Sequence, residues 1–174
     1  MYIGDKRPIR GYTSYLSCES GKGRDIDMDV GLLILEAGDE FTDQSADKEA
    51  AYLLFEGSVD WTAAGRTAQV SRKDPFDEAA SCLHVAAGTA AFIKARTHAE
   101  IYVQRTHNDT RFPAVFYSPE NVQVQRAGSH GELGGTMRRN IITLFDYDNA
   151  PYSKMVLGEV LNFPGRWSSY PPHH

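Results

Sequence analysis

The side chains most suited to chemistry lie in the last ten residues, Gly165, Arg166, Trp167, Ser168, Ser169, Tyr170, Pro171, Pro172, His173 and His174. A strand-like run over 155–163 leads into a glycine turn, and two aromatics and two prolines then deliver an imidazole. Proline fixes its own φ and restricts the residue before it, so Tyr170-Pro171-Pro172 is a stiff, extended approach that holds a side chain at a set angle. Histidine is the commonest metal ligand and the one side chain that ordinarily titrates near neutrality. His173 is therefore the leading candidate ligand of a divalent metal. No thiolate lies nearby, and imidazole with carboxylate partners suits Zn, Mn, Fe or Ni equally. One histidine does not make a metal site, and terminal histidines also occur in purification tags or as plain solvated ends. Trp-Ser-Ser-Tyr-Pro-Pro, however, is no usual linker.

Other candidates fit short motifs poorly. His98 and His107 flank a strand, His84 lies on another, and His130 sits in a glycine-rich stretch. Cys18 and Cys82 are far apart and match no C-x-x-C spacing, so they read as reduced, unpaired thiols. A Gly-x-Ser-x-Gly elbow and a Gly-x4-Gly-Lys-Ser/Thr phosphate loop are both absent. Residues 131–135 (GELGG) lack the βαβ surroundings of a dinucleotide fingerprint. Arg138 and Arg139 are candidate substrate-binding residues, because a guanidinium fork takes a carboxylate through two parallel hydrogen bonds. The plainer reading of each is a solvated strand start.

Strands must position these groups. Runs over 30–36, 49–56, 58–62, 67–70, 81–85, 90–95, 100–105, 122–126 and 137–145 all read as β. By period alone 49–56 (EAAYLLFE) is strand or helix turn; Gly57 closes it, and the alternating 58–62 then reads as its partner, which favours strand. A hairpin follows at Ala64-Gly65. A helix is credible only near 44–51. Short strands at close spacing with Gly and Asp turns predict an all-β sandwich or barrel of jelly-roll type. Four glycines within 127–136 predict a boundary, with residues 1–130 forming a first domain and 131–174 the linker and opening strands of a second.

Eighteen basic and 23 acidic residues give a net charge of −5, which argues against nonspecific nucleic-acid binding. An acidic partner would have to be held by local arginines. No apolar stretch reaches membrane-spanning length, and residues 1–7 lack the apolar core of a secretory signal. A cytoplasmic protein is the expectation.

The string WSSYPPH, preceded by Gly-Glu-Val and a glycine turn, resembles the 5-deoxy-glucuronate isomerases of myo-inositol catabolism, bicupin proteins related to the 5-keto-4-deoxyuronate isomerases of pectin breakdown. The likeness is specific over 155–174 and one of pattern upstream, at Arg10-Gly11-Tyr12-Thr13, Gly38-Asp39-Glu40 and Glu56-Gly57. It implies a cupin fold, a complete first barrel, and a second barrel only begun in a chain that looks like the first two thirds of such a protein. It also implies that His173 belongs to a His-x-His, Glu and His set holding one metal, a set incomplete here, so that this fragment is expected to be inactive. Against the general cupin pattern, Gly38 and Gly57 frame the first motif, but 42–46 (TDQSA) stands where its histidines would be. Glu49 survives near the expected glutamate, and His84 precedes the second turn on a strand, pointing either in or out. The first barrel therefore reads as metal-free.

The implied reaction moves hydrogen between C2 and C1 of an open-chain sugar acid, giving 5-dehydro-2-deoxy-gluconate. Proton removal at C2 creates an enediolate, whose charge a divalent metal would stabilise by several kcal/mol. An acid/base group near neutrality moves the proton, typically contributing about 10²–10⁴-fold. A basic side chain would hold the uronate carboxylate. The rival expectation is a noncatalytic cupin that binds a sugar or assembles with itself or other partners through an aromatic surface of Tyr102, Phe112, Phe116 and Tyr117.

Overall fold

The computed structural model describes residues 6–168. Twelve strands run in order through these residues: β1 (Gly11–Leu16), β2 (Asp29–Leu35), β3 (Glu40–Asp43), β4 (Lys48–Ala63), β5 (Arg66–Arg72), β6 (Cys82–Val85), β7 (Ala91–Ala95), β8 (Ala99–His107), β9 (Val115–Tyr117), β10 (Gln123–Ala127), β11 (Arg139–Phe145) and β12 (Leu157–Asn162). No described helix is long and apolar enough to cross a membrane. The fold is all-β, a jelly-roll of the cupin kind. Nine strands, β1–β9, form one folded sheet, and β10, β11 and β12 form a second, antiparallel one.

Strand β4 organises the barrel. Its first half pairs with β8 on one side and β6 on the other, whereas its second half pairs with β5 and β7. The changeover is Gly57, at φ +106°, with a bulge against β8 between Leu54 and Glu56. A bulge inserts one residue and shifts the inward-facing set by one. Ala50, Tyr52 and Leu54 face the barrel core before it, and Val59, Trp61 and Ala63 face it afterwards. So Gly57 does not end the strand, and 58–62 is its continuation rather than its partner.

The helix considered near 44–51 is absent. Residues 44–47 form a connection and Lys48 opens β4, because pairing to two distant strands outweighs a local period. The run 50–55 is apolar at nearly every position because both its faces are buried. Ala50, Tyr52 and Leu54 pack inside the barrel, and Ala51 and Leu53 pack outside it with Cys82, Tyr117, Leu144, Phe145, Met155 and Leu157. The second sheet thus lies on the outer face of β4 and β6. The glycine-rich segment joins β10 to β11, whose strands pair from Gln123–Thr143 to Ala127–Arg139.

Tyr102, Phe112, Phe116 and Tyr117 do not form an exposed contact surface, since none of the four is exposed. Phe112 and Tyr117 are buried, Tyr117 against Phe145 and Phe112 against His84. The sheet-to-sheet contact uses them.

A Cβ at Gly57 would sit 2.2 Å from the His98 carbonyl oxygen, at a φ that L residues avoid. Gly57→Ala is expected to lower unfolding free energy by at least about 1–3 kcal/mol, measured by urea titration. An unchanged midpoint would show that the corner tolerates a side chain.

Candidate functional site

Strand alternation sends Glu49 and His84 out of the barrel, into the junction with the second sheet. Both are fully buried. His84 Nε2 donates to Glu49 Oε2 at 2.8 Å, and Ser153 Oγ donates to the same oxygen at 3.0 Å. Asn108 Nδ2 and the Lys154 backbone N–H donate to Oε1 at 3.1 and 2.8 Å. Each carboxylate oxygen therefore accepts two bonds. Burial pushes the Glu49 carboxyl upward, but His84 and the Lys154 amide outweigh it and hold the group below its ordinary value. The imidazole stacks on Phe145 at 4.2 Å with 6° between planes, leaving Nδ1 buried without a partner among the described residues. With its lone pairs taken and its direction outward, Glu49 does not fit a metal within the Gly38–Gly57 frame. It is a junction residue.

A second buried charge lies on the same junction. Arg72, 1% exposed at the end of β5, forks onto Glu159 of β12 with two bonds of 2.8 Å. Its other donors reach the carbonyls of Leu54 at 2.9 Å and Glu78 at 2.9 and 3.1 Å. The two sheets are thus held by polar groups of both signs around an apolar contact.

Inside the barrel, one end carries its own closed network. Arg105 donates from Nε and NH2 to Asp43 and from NH1 to Tyr12 Oη at 2.8 Å. Tyr52 Oη donates to Asp43 at 2.6 Å. Burial, reinforced by Asp43, pushes the Tyr52 hydroxyl well above its usual range, so it remains a donor. These polar groups satisfy one another.

The candidate substrate arginines sit at the start of β11. Arg138 is exposed, its guanidinium 4.9 Å from the centre of the Phe163 ring. Arg139 is half-buried and donates to the Met137 carbonyl at 3.1 Å. The Trp167 N–H donates to the Thr136 carbonyl at 2.8 Å. The structure therefore brings both arginines beside the root of the C-terminal segment. His173 itself lies outside the described residues. His130 is exposed, and His98 faces solvent with Nδ1 3.0 Å from Glu36.

Sequence spacing missed three partnerships: Ser153 and Asn108 on Glu49, the Arg72–Glu159 fork, and the approach of Cys18 to His107. All join residues far apart in the chain. Cys18 and Cys82 are both buried and free.

A family model described as KduI/IolB matches residues 16–174. A 5-deoxy-glucuronate isomerase from Lacticaseibacillus casei is 28% identical over 152 residues, covering 83% of this chain and 52% of its own. One from Geobacillus kaustophilus (strain HTA426) is 27% identical over 145 residues, covering 82% and 50%. The crystal structure of an IolB-like protein from Salmonella typhimurium LT2 superposes with a TM-score of 0.79 at 20% identity, over 94% of this chain and 60% of that one. The chain spans about half the length of the curated relatives it matches.

Glu49→Gln places an amide donor among donors, and is expected to cost about 2–4 kcal/mol of unfolding free energy at neutral pH. A depressed carboxyl contributes stability above its unfolded value, near pH 4.3, and loses it as pH falls through the folded value. The gap between wild type and variant should therefore be constant above about pH 5 and shrink below about pH 4. Urea titrations across that range check it; a gap independent of pH would show that Glu49 is not buried as a carboxylate.

Proposed function

The chain belongs to the KduI/IolB family, and we propose that it serves as the scaffold half of a metal-dependent aldose–ketose isomerase acting on a deoxy sugar acid, 5-deoxy-glucuronate. The match over residues 16–174, with curated relatives named for that activity, is the observation that carries the reading.

Within this reading each part has a task. His173 is a metal ligand reached through Tyr170-Pro171-Pro172, and its imidazole suits a borderline divalent ion. Such a metal, when bound, would supply Lewis-acid stabilisation of the enediolate. Arg138 and Arg139 bind the substrate carboxylate; the Arg138–Phe163 contact and the Trp167–Thr136 bond, which keep them beside the root of the tail, support that role. Arg138 is the better placed of the two, being exposed, and a guanidinium fork recognises a carboxylate in its plane. The barrel's contribution is rigidity. Glu49 and Arg72 fix the second sheet, and the second sheet carries the arginines and leads into the tail.

Residues 1–174 alone are expected to show no turnover, since His173 brings a single imidazole to a metal that needs three or more protein ligands. In the complete protein, His173→Ala should lose bound metal and turnover of 5-deoxy-glucuronate together. Arg138→Ala should raise KM about tenfold or more with metal content unchanged. Metal analysis and steady-state kinetics separate these outcomes. Full metal occupancy and wild-type rate in His173→Ala would overturn the ligand assignment, and activity in residues 1–174 would move the chemistry into the first barrel.

A further inference from the structure

We propose that Cys18, Glu19 and His107 form a zinc site at the rim of the first barrel, separate from the tail and from the Glu49 junction. Cys18 and Glu19 follow β1, and His107 closes β8. Cys18 Sγ lies 3.5 Å from His107 Nε2, Glu19 Oε1 lies 3.2 Å from the same nitrogen, and Sγ and Oε1 are 3.8 Å apart. Tetrahedral zinc, with bonds of about 2.3 Å to sulfur and about 2.0–2.1 Å to nitrogen and oxygen, separates sulfur from either lighter ligand by about 3.6 Å and nitrogen from oxygen by about 3.3 Å. The three atoms already stand near those separations. Glu19 and His107 have side chains 65% and 39% exposed, which gives an entry route and leaves a fourth position for water.

The surroundings are those of a ligated histidine. His107 Nδ1 is 3.2 Å from Asp47 Oδ2, and a carboxylate on the far nitrogen orients the ring and strengthens the near one as a donor to metal. The Cys18 backbone N–H donates to Asp29 Oδ1 at 2.7 Å, which holds the main chain that carries the thiol. Charge also favours a dication. Glu19, Asp29 and Asp47 face two permanent cations, Lys48, whose Nζ is 3.0 Å from both Glu19 and Asp29, and Arg24, which donates to the Glu19 backbone carbonyl at 3.4 Å. One negative charge is left over, and the Cys18 thiolate formed on binding adds a second. On binding, the Cys18 S–H bond is replaced by S–Zn and the proton goes to solvent; Glu19 turns to the metal and Lys48 keeps Asp29. A thiolate with an imidazole in tetrahedral geometry selects zinc over the harder divalent ions. The other imidazole–carboxylate group, Glu56, His98 and Glu100, has Nε2 3.9 Å from each carboxylate and no thiolate.

The other cysteine, Cys82, is fully buried in the apolar contact between the sheets, so a thiolate-to-cobalt band reports on Cys18. The 174-residue chain, stripped with chelator and titrated with Co²⁺, should develop a thiolate-to-cobalt charge-transfer band that saturates at one equivalent and disappears on adding Zn²⁺. Cys18→Ser should abolish the band, and His107→Ala should weaken binding more than the about 10–100-fold expected of Asp47→Asn. Glu19→Gln, at an exposed position, tests the site if the buried cysteine variant fails to fold, and should also weaken binding. His173→Ala should leave the band intact, which separates this site from the tail's metal and from the proposed activity. Cobalt uptake without a thiolate band, a band that survives Cys18→Ser, or unchanged affinity in His107→Ala or Glu19→Gln would overturn the proposal.

Discussion

A carboxylate with no solvent exposure, as Glu49 has, is tolerable only when its lone pairs are occupied, because burial strips it of water and leaves nothing else to spread its charge. Its four donors come from three places: His84 on β6, Asn108 just past β8, and Ser153 and Lys154 on the connection between β11 and β12. The barrel cannot satisfy Glu49 without the second sheet. The second sheet is equally bound to Arg72, whose guanidinium would otherwise face only backbone carbonyls in a dry site. Both charges keep their full set of partners only with the second sheet in place, and the apolar contact between them makes the closed arrangement favourable.

That constraint gives the first barrel a purpose that needs no chemistry of its own. Its polar end is filled by the Arg105, Asp43, Tyr12 and Tyr52 network, and its outer face supplies the fixed surface for β11 and β12. β12 carries Glu159 and leads through Phe163 and Trp167 toward the proposed ligand His173. A ligand held by a terminal segment is only as well placed as the strand before it, and β12 is tied to the barrel at its own residue Glu159. The zinc site proposed at Cys18, Glu19 and His107 lies on the barrel rim and ties the end of β1 to the end of β8.

Much of the fold was legible because local patterns carry it. Apolar runs bounded by turn residues mark β2, β8 and most other strands to within two residues, and Ala64-Gly65 marks the hairpin into β5, whereas β1 gives no such run. Gly57 reads as a stop because a strand that changes sheets looks, residue by residue, like two strands. β3 and β9, at four and three residues, were too short to show a period. The tail showed its chemistry through a specific string, whereas the junction stayed hidden. Glu49 and His84 stand out in the sequence only against the cupin pattern, and their mutual bond and the face they occupy depend on pairings between β4, β6 and β8 that no spacing encodes. The same holds for Cys18 and His107, 89 residues apart.

The central claim, that buried charges of both signs lock the second sheet to the barrel as one cooperative unit, is tested most directly by native-state hydrogen exchange. The slowest amides of β11 and β12 should open with the same free energy as the slowest amides of β4 and β8, and with the same dependence on denaturant. Slow amides of β11 and β12 that open several kcal/mol below those of the barrel would contradict it, showing a sheet that rests on the barrel without being held by it.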